Sequence, residues 1–258
     1  MPEAAPPTSK GEKASYVRDM FSTIAPRYDL LNRLLSFGID SLWRKQAVDA
    51  ALKTSPKRIL DVATGTADLA IALKRRVPDA EVIGVDFAEP MLELGRTKVA
   101  RGGLELPLQQ GDGQNLAFAD GSFDLVTIAY GLRNFSDYER GLAEFYRVLR
   151  PGGRLVVLEF PPPPKGIFGR LFRLYFLGIT PYLAGAISGR RDAYVYLGKS
   201  VLNFPPPGKL ADMMRQSGFT KVHYELQTFG VSALHVGDKP HGDEPRGDKL
   251  HNDNLGDE

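Results

Sequence analysis

Cysteine is absent from the 258 residues of the chain, and its absence removes several classes of protein. Disulfide frameworks, thiolate metal sites and two-thiol redox chemistry all require cysteine. A reducing compartment is compatible with this composition. Histidine, aspartate and glutamate show no cluster with the spacing of metal ligands, so the sequence predicts a protein that needs no metal.

An excess of charge of one sign is also missing, since the formal net charge is +2. A protein that binds nucleic acid would show a clustered basic face, and we therefore expect no nucleic-acid partner. The hydrophobic fraction of 43% and the charged fraction of 25% are those of an ordinary globular protein. At this length we expect one domain with additions.

The two ends of the chain lack the apolar residues that a core needs. The start, MPEAAPPTSKGEKAS, has no apolar stretch after a positive charge, so no secretory leader is predicted. We expect residues 1–13 to form a flexible tail. Residues 238–258 are polar and rich in Gly and Asp, which predicts a second, disordered tail. A single domain is expected over residues 14–237.

Short branched-aliphatic runs alternate with helical patterns through the middle of the chain. This alternation predicts an α/β fold, a doubly wound parallel sheet with helices on both faces. A helix near 208–217 and two further strands follow, and Gly230 between those strands marks a tight reversal that predicts an antiparallel pair. The earlier strand runs are residues 57–62, 81–86, 106–112, 123–130 and 154–160, and the helical runs are residues 67–76, 89–101 and 137–149.

Glycine is scarce where a phosphate-binding turn would need it. The first strand is followed by ATGTAD, in which Gly65 is the single glycine, whereas a dinucleotide site uses G-x-G-x-x-G. Asp61, Thr66 and Asp68 surround this turn. Acidic side chains repel a pyrophosphate but suit a ligand that carries an ammonium and a sulfonium. The turn therefore favours S-adenosylmethionine over NAD.

Acidic residues also end the next two predicted strands. Asp86 ends the second strand, where a carboxylate can accept hydrogen bonds from a ribose diol, although NAD enzymes share this feature. Met91 follows, and it can pack on an adenine face or simply belong to the core of an amphipathic helix. Asp112, followed by Gly113, ends the third strand and can accept from an adenine amino group or lie in a surface turn. Together the three strand-end carboxylates favour a binding site.

Several stretches of the chain resemble one known family. They are FSTIAPRYDLLNRLLSFGIDSLWRK, LDVATGTADLA, GVDFAEPML, AYGLRNFSD, FYRVLRPGGRLVVLEF and SALHVGDKP. Together they look like the class I methyltransferases that C-methylate polyprenylated quinols, the demethylmenaquinol and ubiquinone-pathway enzymes. The resemblance runs from about residue 15 to about residue 240. It implies a Rossmann-like seven-stranded sheet with an antiparallel last strand.

The resemblance also implies an activity and a set of binding residues. The expected reaction transfers a methyl group from S-adenosylmethionine, the co-substrate, to a ring carbon of demethylmenaquinol. Thr66, Asp86, Asp112 and Gly113 are the implied contacts of the co-substrate, and Asp61, Gly65 and Met91 are added from the strand-end argument. Ala67 stands where many relatives have glycine, and Ala129 stands where many ubiquinone-pathway members have serine. Both favour menaquinol, while the benzoquinol of the ubiquinone pathway stays open.

Carbon methylation requires an electron-rich ring, so the reduced quinol must be the substrate. Arg133 and Asn134 follow the fourth strand at the carboxyl edge of the sheet, and both are predicted to be catalytic. Arginine holds its proton at physiological pH, so Arg133 is expected to stabilise a developing phenolate while Asn134 orients the ring. The alternative for Arg133 is a structural ion pair with Asp137 or Asp29.

Tyr28 lies in an N-terminal segment, residues 14–53, that we expect to fold over the cleft as a helical lid. It is a third candidate catalytic residue, which either contacts the quinol or seals the pocket. His223 and His235 are predicted on late edge strands remote from the cleft, where packing or surface roles are expected.

Residues 161–207, bounded by proline clusters, are predicted to be a cap inserted into the domain. The run GIFGRLFRLYFLGITPYLAGAI is apolar for about twenty residues, a length that can span a bilayer. Arg170 and Arg173 would be costly at bilayer depth, so an interfacial cap is preferred over an anchor. A cap packed on the sheet without lipid contact is the alternative. We expect a cytoplasmic enzyme held peripherally at the inner face of the membrane, with a homodimer left open.

Three other functions stay open on the sequence. A methyltransferase acting on a sterol or a small phenol would also use an apolar cap. An NAD-dependent oxidoreductase or nucleotide-binding module is disfavoured by the glycine-poor turn. A noncatalytic scaffold is disfavoured by the intact strand-end carboxylates.

Overall fold

The computed structural model describes residues 10–242, without the side chains of residues 10, 12, 14 and 188. A seven-stranded sheet lies at the centre of this part of the chain. Its strands are β1 (Arg58–Val62), β2 (Glu81–Asp86), β3 (Leu108–Gln110), β4 (Phe123–Ala129), β5 (Leu149–Glu159), β6 (Thr220–Gln227) and β7 (Ser232–Asp238). They lie in the order β3-β2-β1-β4-β5-β7-β6.

The sheet has the predicted direction of strands. β1 to β5 run parallel, and β7 runs antiparallel to both β5 and β6. The α/β fold class with an antiparallel last strand is therefore confirmed. The chain order reverses between the neighbouring strands β1 and β4, and ligands of such sheets bind in the crevice outside the carboxyl ends at this point.

Helices cover both faces of the sheet. In α5, Leu142, Phe145 and Val148 recur at helical spacing and are buried, while the Asp137 side chain caps the helix by accepting from Arg140 N at 3.0 Å. The helices are α1 (Lys10–Leu35), α2 (Asp40–Ala51), α3 (Asp68–Arg76), α4 (Glu89–Arg101), α5 (Tyr138–Val148), α6 (Ile167–Arg173), α7 (Thr180–Ser188), α8 (Arg191–Leu202) and α9 (Pro207–Gln216).

The predicted lid and cap are both helical, and they pack on each other. A π-helical segment, Leu174–Ile179, joins α6 to α7, so the helical backbone runs without a break from Ile167 to Ser188. The Tyr175 hydroxyl donates to Leu35 O at 3.0 Å, and Arg27 Nη1 donates to Ile187 O at 2.6 Å. The cap therefore lies along α1, over the carboxyl side of the sheet.

The structure shifts the predicted boundaries of the tails. α1 begins at Lys10, so helix already covers residues 10–13. Lys13 Nζ donates to Phe135 O at 2.6 Å, a tertiary contact that local sequence cannot show. At the other end β7 includes Asp238, which pairs with Arg154 at 2.7 Å, and the sheet thus extends past the predicted boundary. Residues 1–9 and 243–258 of the predicted tails lie outside the described residues.

The prediction that His235 lies on an edge strand is wrong. β7 is flanked by β5 and β6, so His235 is 1% exposed, whereas His223 on the edge strand β6 is exposed. The His235 ring stacks on Tyr224 at 5.2 Å, and Nε2 lies 3.0 Å from Pro207 O. Burial lowers the pKa of His235 to about 4, which fits the expected packing role.

Candidate functional site

The turn after β1 brings the ends of β1 and β2 together. Ala63, Gly65 and Ala67 all have positive φ, of 51°, 56° and 67°. This conformation favours glycine, so the two alanines are held by their surroundings. Gly65 N donates to Asp86 Oδ2 at 2.8 Å. The single glycine of the turn is thus hydrogen-bonded to the carboxylate at the end of the neighbouring strand.

Asp61 holds this turn in place through side-chain hydrogen bonds. It is 1% exposed, and its two carboxylate oxygens accept from Thr64 Oγ1 at 2.7 Å and from Thr127 Oγ1 at 2.6 Å. Burial raises the pKa of Asp61 to about 6, although both hydrogen bonds oppose the rise. Asp61 lines a small pocket beneath the turn, together with Thr66 and Arg44, and does not line the main cleft.

Most of the predicted binding residues meet in one cavity of about 380 Å³, which we call the main cleft. It lies outside the carboxyl ends of β1, β2 and β4, the place expected for such a sheet. The predicted residues that line it are Tyr28, Gly65, Asp86, Met91, Asp112, Gly113 and Asn134.

Asp86 and Asp112 offer acceptors to this cleft in different surroundings. Asp86 is 6% exposed and accepts from Gly65 N and from Ala88 N, the latter at 2.9 Å. Burial raises the pKa of Asp86 to about 6, and these backbone hydrogen bonds lower it only in part. Asp112 is exposed at the rim, where its Oδ1 accepts from Gln114 N at 2.9 Å.

The floor of the cleft needs a residue without a side chain at Gly113. A Cβ at this position would lie 2.5 Å from Phe135 Cζ and 2.7 Å from Val62 Cγ1. Met91 is 2% exposed and faces Gly65, where a Cβ would meet its Cε at 3.5 Å. Gly113 therefore allows the backbone to pack against Phe135 and Val62, and Gly65 supplies the positive φ that the turn needs.

A second cavity, of about 80 Å³, lies under α1 and the cap. We call it the aromatic chamber. Phe21, Tyr28 and Tyr130 line both this chamber and the main cleft, so the two cavities share a wall. Tyr130 stacks on Phe160 with ring centroids 4.4 Å apart. The other aromatic residues that line the chamber are Trp43, Phe172, Tyr175, Phe176 and Tyr194.

Arg133 lies in the wall of the chamber and not in the main cleft. It is 3% exposed, and its Nη1 lies 2.6 Å from Glu159 Oε1. The partner is thus Glu159, and neither of the two aspartates considered from the sequence. Nε of Arg133 has no hydrogen-bond partner among the described residues. A buried guanidinium N–H without a partner requires an explanation, and a bound ligand is one group that could accept from it.

The lid is attached to the turn after β1 by a polar network. Thr66 Oγ1 donates to Asp29 Oδ1 at 2.6 Å and accepts from Lys98 Nζ at 2.8 Å. Lys98 Nζ also lies 2.5 Å from Asp29 Oδ2 and 2.6 Å from Asp68 Oδ1. We call this network the lid latch. The hydroxyl of Thr66, predicted from the resemblance to contact the co-substrate, is engaged with the lid.

Sequence reasoning missed a row of polar residues in the chamber: Asn32, Ser36, Asp40 and Arg44. Ser36 Oγ donates to Asp40 Oδ1 at 2.8 Å, and Arg44 Nη1 donates to Asp40 Oδ2. The four-residue spacing of these polar side chains was visible in the sequence. It resembled a solvated helix face, and only the tertiary structure shows that the row lines a cavity under the cap. Among the described residues no group of acidic or histidine side chains is placed to hold a metal ion.

Comparison with known proteins gives one consistent family. Residues 9–239 match the ubiE/COQ5 methyltransferase family. The demethylmenaquinone methyltransferase of Thermus thermophilus is 62% identical over 221 residues, which are 86% of this chain and 100% of that protein. The protein of the same name from Deinococcus radiodurans is 52% identical over 238 residues, 92% of this chain and 98% of that protein. The ubiquinone/menaquinone biosynthesis C-methyltransferase UbiE of Geobacter sulfurreducens is 45% identical, with 90% of each chain covered.

Solved structures share the fold at lower identity. A SAM-dependent methyltransferase of Thermotoga maritima matches with a TM-score of 0.62 and 22% identity, over 86% of this chain and 98% of its own. Phosphoethanolamine N-methyltransferase 2 of Haemonchus contortus, solved with S-adenosyl-L-methionine, matches with a TM-score of 0.57 and 14% identity, over 76% of this chain and 53% of its own. At these identities the likeness shows the fold alone.

Proposed function

The chain belongs to the ubiE/COQ5 methyltransferase family, and we propose that it transfers the methyl group of S-adenosylmethionine to a ring carbon of demethylmenaquinol, a polyprenylated quinol. The names of the two relatives that are 62% and 52% identical support this substrate. The structural observation that carries the proposal is the wall shared by the main cleft and the aromatic chamber. A polar nucleoside in the main cleft and a flat apolar ring in the chamber would be neighbours at that wall.

The main cleft fits the adenosine part of the co-substrate. The carboxylate of Asp86 accepts one backbone N–H on each oxygen and keeps further lone pairs for the hydroxyls of a ribose. Asp112 at the rim is an acceptor for an adenine amino group, and Met91 is an apolar surface for the base. S-adenosylmethionine supplies an electrophilic methyl group at this site.

The side chains that line the aromatic chamber suit the ring of the acceptor. Stacked aromatic side chains such as Tyr130 and Phe160 offer flat apolar surfaces to a flat ring. The chamber is small, with room for roughly three water molecules, so α1 or the cap must move to admit a bicyclic ring. The positive charge of Arg133 beside the ring would stabilise the quinol oxygen that becomes negative during the reaction.

Methylation at carbon follows from the electronic structure of a quinol. Loss of the proton from the hydroxyl next to the target carbon raises the electron density on that carbon, which then attacks the methyl group in line. Holding the ring in line with the methyl group and excluding water supply several kcal/mol of the acceleration. We propose that Nε of Arg133 stabilises the developing phenolate, that Asn134 orients the ring, and that Tyr28 positions it at the shared wall.

The test is a methyl-transfer assay with a short-chain demethylmenaquinol, run without oxygen and with labelled S-adenosylmethionine. We expect label in the reduced acceptor and none in the oxidised quinone, because the quinone ring is electron-poor. The benzoquinol of the ubiquinone pathway is the comparison acceptor, and we expect slower turnover with it. No transfer to either quinol, or tighter binding of NADH than of S-adenosylmethionine in calorimetry, would refute the proposal.

A polyprenyl tail keeps the acceptor in a bilayer, and one surface of the structure suits contact with lipid. Large apolar side chains are exposed along the C-terminal part of α1, in the turn after it and along the cap, for instance Phe37 at 77% in that turn and Ile167 at 79% in the cap. Phe37 packs on Tyr175 of the cap at 5.9 Å, so the two sets are continuous. We define the apolar face as Leu30, Leu34, Phe37, Ile167, Leu171, Leu174, Tyr182 and Leu183.

The charge around the apolar face also suits an anionic membrane. Residues 165–192 contain five basic residues, at 165, 170, 173, 190 and 191, and one acidic residue, Asp192, which pairs with Arg190 at 2.7 Å. Basic residues beside an apolar surface strengthen binding to anionic lipid. No helix among residues 10–242 combines the length and the apolarity needed to cross a bilayer. We therefore propose a cytoplasmic enzyme that rests on the inner membrane surface through this face.

A further inference from the structure

The proposed reaction needs a group that takes a proton from a quinol hydroxyl, and few groups are placed to do so. Arg133 keeps its own proton. Asp86 and Asp112 line the main cleft on the side of the co-substrate. Glu159 lines neither cavity, and its oxygens accept from Arg133 and from Phe160 N at 2.8 Å.

Asp40 is the one carboxylate that lines the aromatic chamber within residues 10–242. It is 8% exposed and begins α2. Ser36 donates to one of its oxygens and Arg44 to the other, so the side chain is held from both sides. Two carboxylate oxygens offer about four lone-pair positions, and the backbone of Ser41 uses one more of them, so Asp40 can still accept a further hydrogen bond from a ligand in the chamber.

We infer that Asp40 accepts the proton of the quinol hydroxyl next to the carbon that is methylated, an inference that rests on the proposed function. The O–H bond breaks and its proton moves to the Asp40 carboxylate. The bond between the ring carbon and the methyl carbon forms as the bond between that methyl and sulfur breaks. The ring carbon then loses its hydrogen as a proton to water, which makes the ring aromatic again, and the proton held by Asp40 returns to the ring oxygen. One proton is thus released overall, and the Asp40 carboxylate is regenerated.

A weakly basic carboxylate is sufficient for this step. Burial alone would raise the pKa of Asp40, but the hydrogen bond from Ser36 and the positive charge of Arg44 outweigh it and hold the pKa below its ordinary value. Asp40 is therefore ionised at neutral pH. The quinol hydroxyl becomes much more acidic as its ring donates electrons to the methyl group, and proton transfer concerted with this attack is within reach of a weak base.

The competing explanation is that Asp40 only holds Arg44 in place. Arg44 lines both the chamber and the pocket under the turn, and its Nη2 lies 3.7 Å from Asp68 Oδ2. A purely structural role and a proton-accepting role would both lower activity when Asp40 is replaced. They differ in how the loss depends on the acidity of the substrate hydroxyl.

The experiment compares wild type with Asp40→Asn on two short-chain demethylmenaquinols, the parent and an analogue with a halogen on the distal ring, which makes its hydroxyl more acidic. We expect Asp40→Asn to lower kcat with the parent by about a hundredfold or more. The ratio of wild-type to variant kcat should shrink with the acidic analogue, while the Kd for S-adenosylmethionine changes little. Asp40→Glu keeps a carboxylate and should recover part of the rate.

An equal loss of kcat on both quinols would overturn the role of Asp40, and so would full activity of Asp40→Asn. If Asp40→Asn does not fold, Asp40→Asn with Arg44→Gln replaces it, because that pair leaves no buried cation unpaired. Ser36→Ala, which removes one hydrogen bond to Asp40 and keeps the carboxylate, is the matched control and should respond to both quinols alike. Lack of turnover by wild type would instead contradict the proposed function.

Discussion

Arg133 and Glu159 form an ion pair at 2.6 Å in the wall of the aromatic chamber, with 3% and 1% of their side chains exposed. Removing one member of such a pair leaves an uncompensated buried charge, which costs about 3–5 kcal/mol. If Arg133 were truncated to alanine, a loss of activity could therefore come from unfolding as well as from a lost catalytic contact. The pair also fixes the direction of Nε, the donor that we assign to the phenolate.

Arg133→Lys is the more informative substitution at this pair. Lysine keeps the positive charge beside Glu159 but has no donor at the position of Nε, so stabilisation of the phenolate should be lost. We expect kcat to fall about a hundredfold, as for the loss of one donor to an oxyanion. The Kd for S-adenosylmethionine, measured by calorimetry, should stay within about twofold, because Arg133 lies outside the main cleft.

Glu159→Gln is the matched control for Arg133→Lys. It removes the negative charge but keeps an oxygen that can accept from Nη1, so it should lower the melting temperature strongly while Nε of Arg133 keeps its direction. Unchanged kcat in a folded Arg133→Lys protein would remove Arg133 from the mechanism.

The lid latch predicts a kinetic effect at Lys98. Its ammonium contacts Asp29 on the lid and Asp68 on α3, and these side chains are 29% to 39% exposed. Lys98→Met should cost no more than about 1 kcal/mol of stability, because partly exposed ion pairs contribute little. It should, however, speed the dissociation of S-adenosylmethionine and reduce the hydrogen-exchange protection of α1.

Stopped-flow release and hydrogen exchange measure the two effects at Lys98. Lys53→Met, at an exposed lysine after α2, should change neither. Equal release rates for Lys98→Met and wild type would show that the latch does not control the lid.

Asp86 predicts how co-substrate binding depends on pH. Its pKa is raised to about 6 in the ligand-free protein, and the ribose hydroxyls need the ionised carboxylate as their acceptor. Binding must therefore remove a proton once the pH falls below that value. The affinity for S-adenosylmethionine should be roughly tenfold weaker at about pH 5 than at neutral pH.

Titration calorimetry across this range tests the role of Asp86. Asp86→Asn should bind weakly and lose most of the pH dependence, leaving the part due to Asp61, whose pKa is also raised to about 6. If the affinity of Asp86→Asn for S-adenosylmethionine depended on pH as strongly as that of wild type, the proton lost on binding would belong to another group.

The apolar face predicts which residues carry membrane binding. Leu171 and Leu174 are 61% and 63% exposed. Changing both to Asp adds charges that anionic lipid repels and removes apolar surface from the contact, so flotation with anionic vesicles should fall several-fold. Activity on a water-soluble, short-chain quinol should be retained, because neither residue lines the chamber.

Arg75→Asp is the matched control for the apolar face. It produces the same change in net charge as the double substitution, but at an exposed position of α3. Equal flotation of the double variant and this control would locate lipid binding elsewhere.

The sequence determined the fold and the edge of the sheet at which the candidate site lies. Alternating runs such as residues 57–62 and 81–86 can be buried only between helices, and a residue that ends a parallel strand must lie at the carboxyl edge. Asp86, Asp112 and the turn at Gly65 were therefore placed correctly from local pattern alone. Gly230 also marked the reversal before β7, because a tight turn depends on local sequence.

Tertiary structure alone decided what these residues contact. Glu159 is the partner of Arg133 because β5 lies beside β4, a neighbour relation that no spacing in the chain reveals. Thr66 is engaged with the lid because α1 folds back across the turn. Asp40 is buried beside a chamber because aromatic side chains of a cap from residues 161–207 form part of its lining. Local sequence fixes which backbone conformations are favourable, whereas burial and charge pairing depend on residues that are distant in the chain.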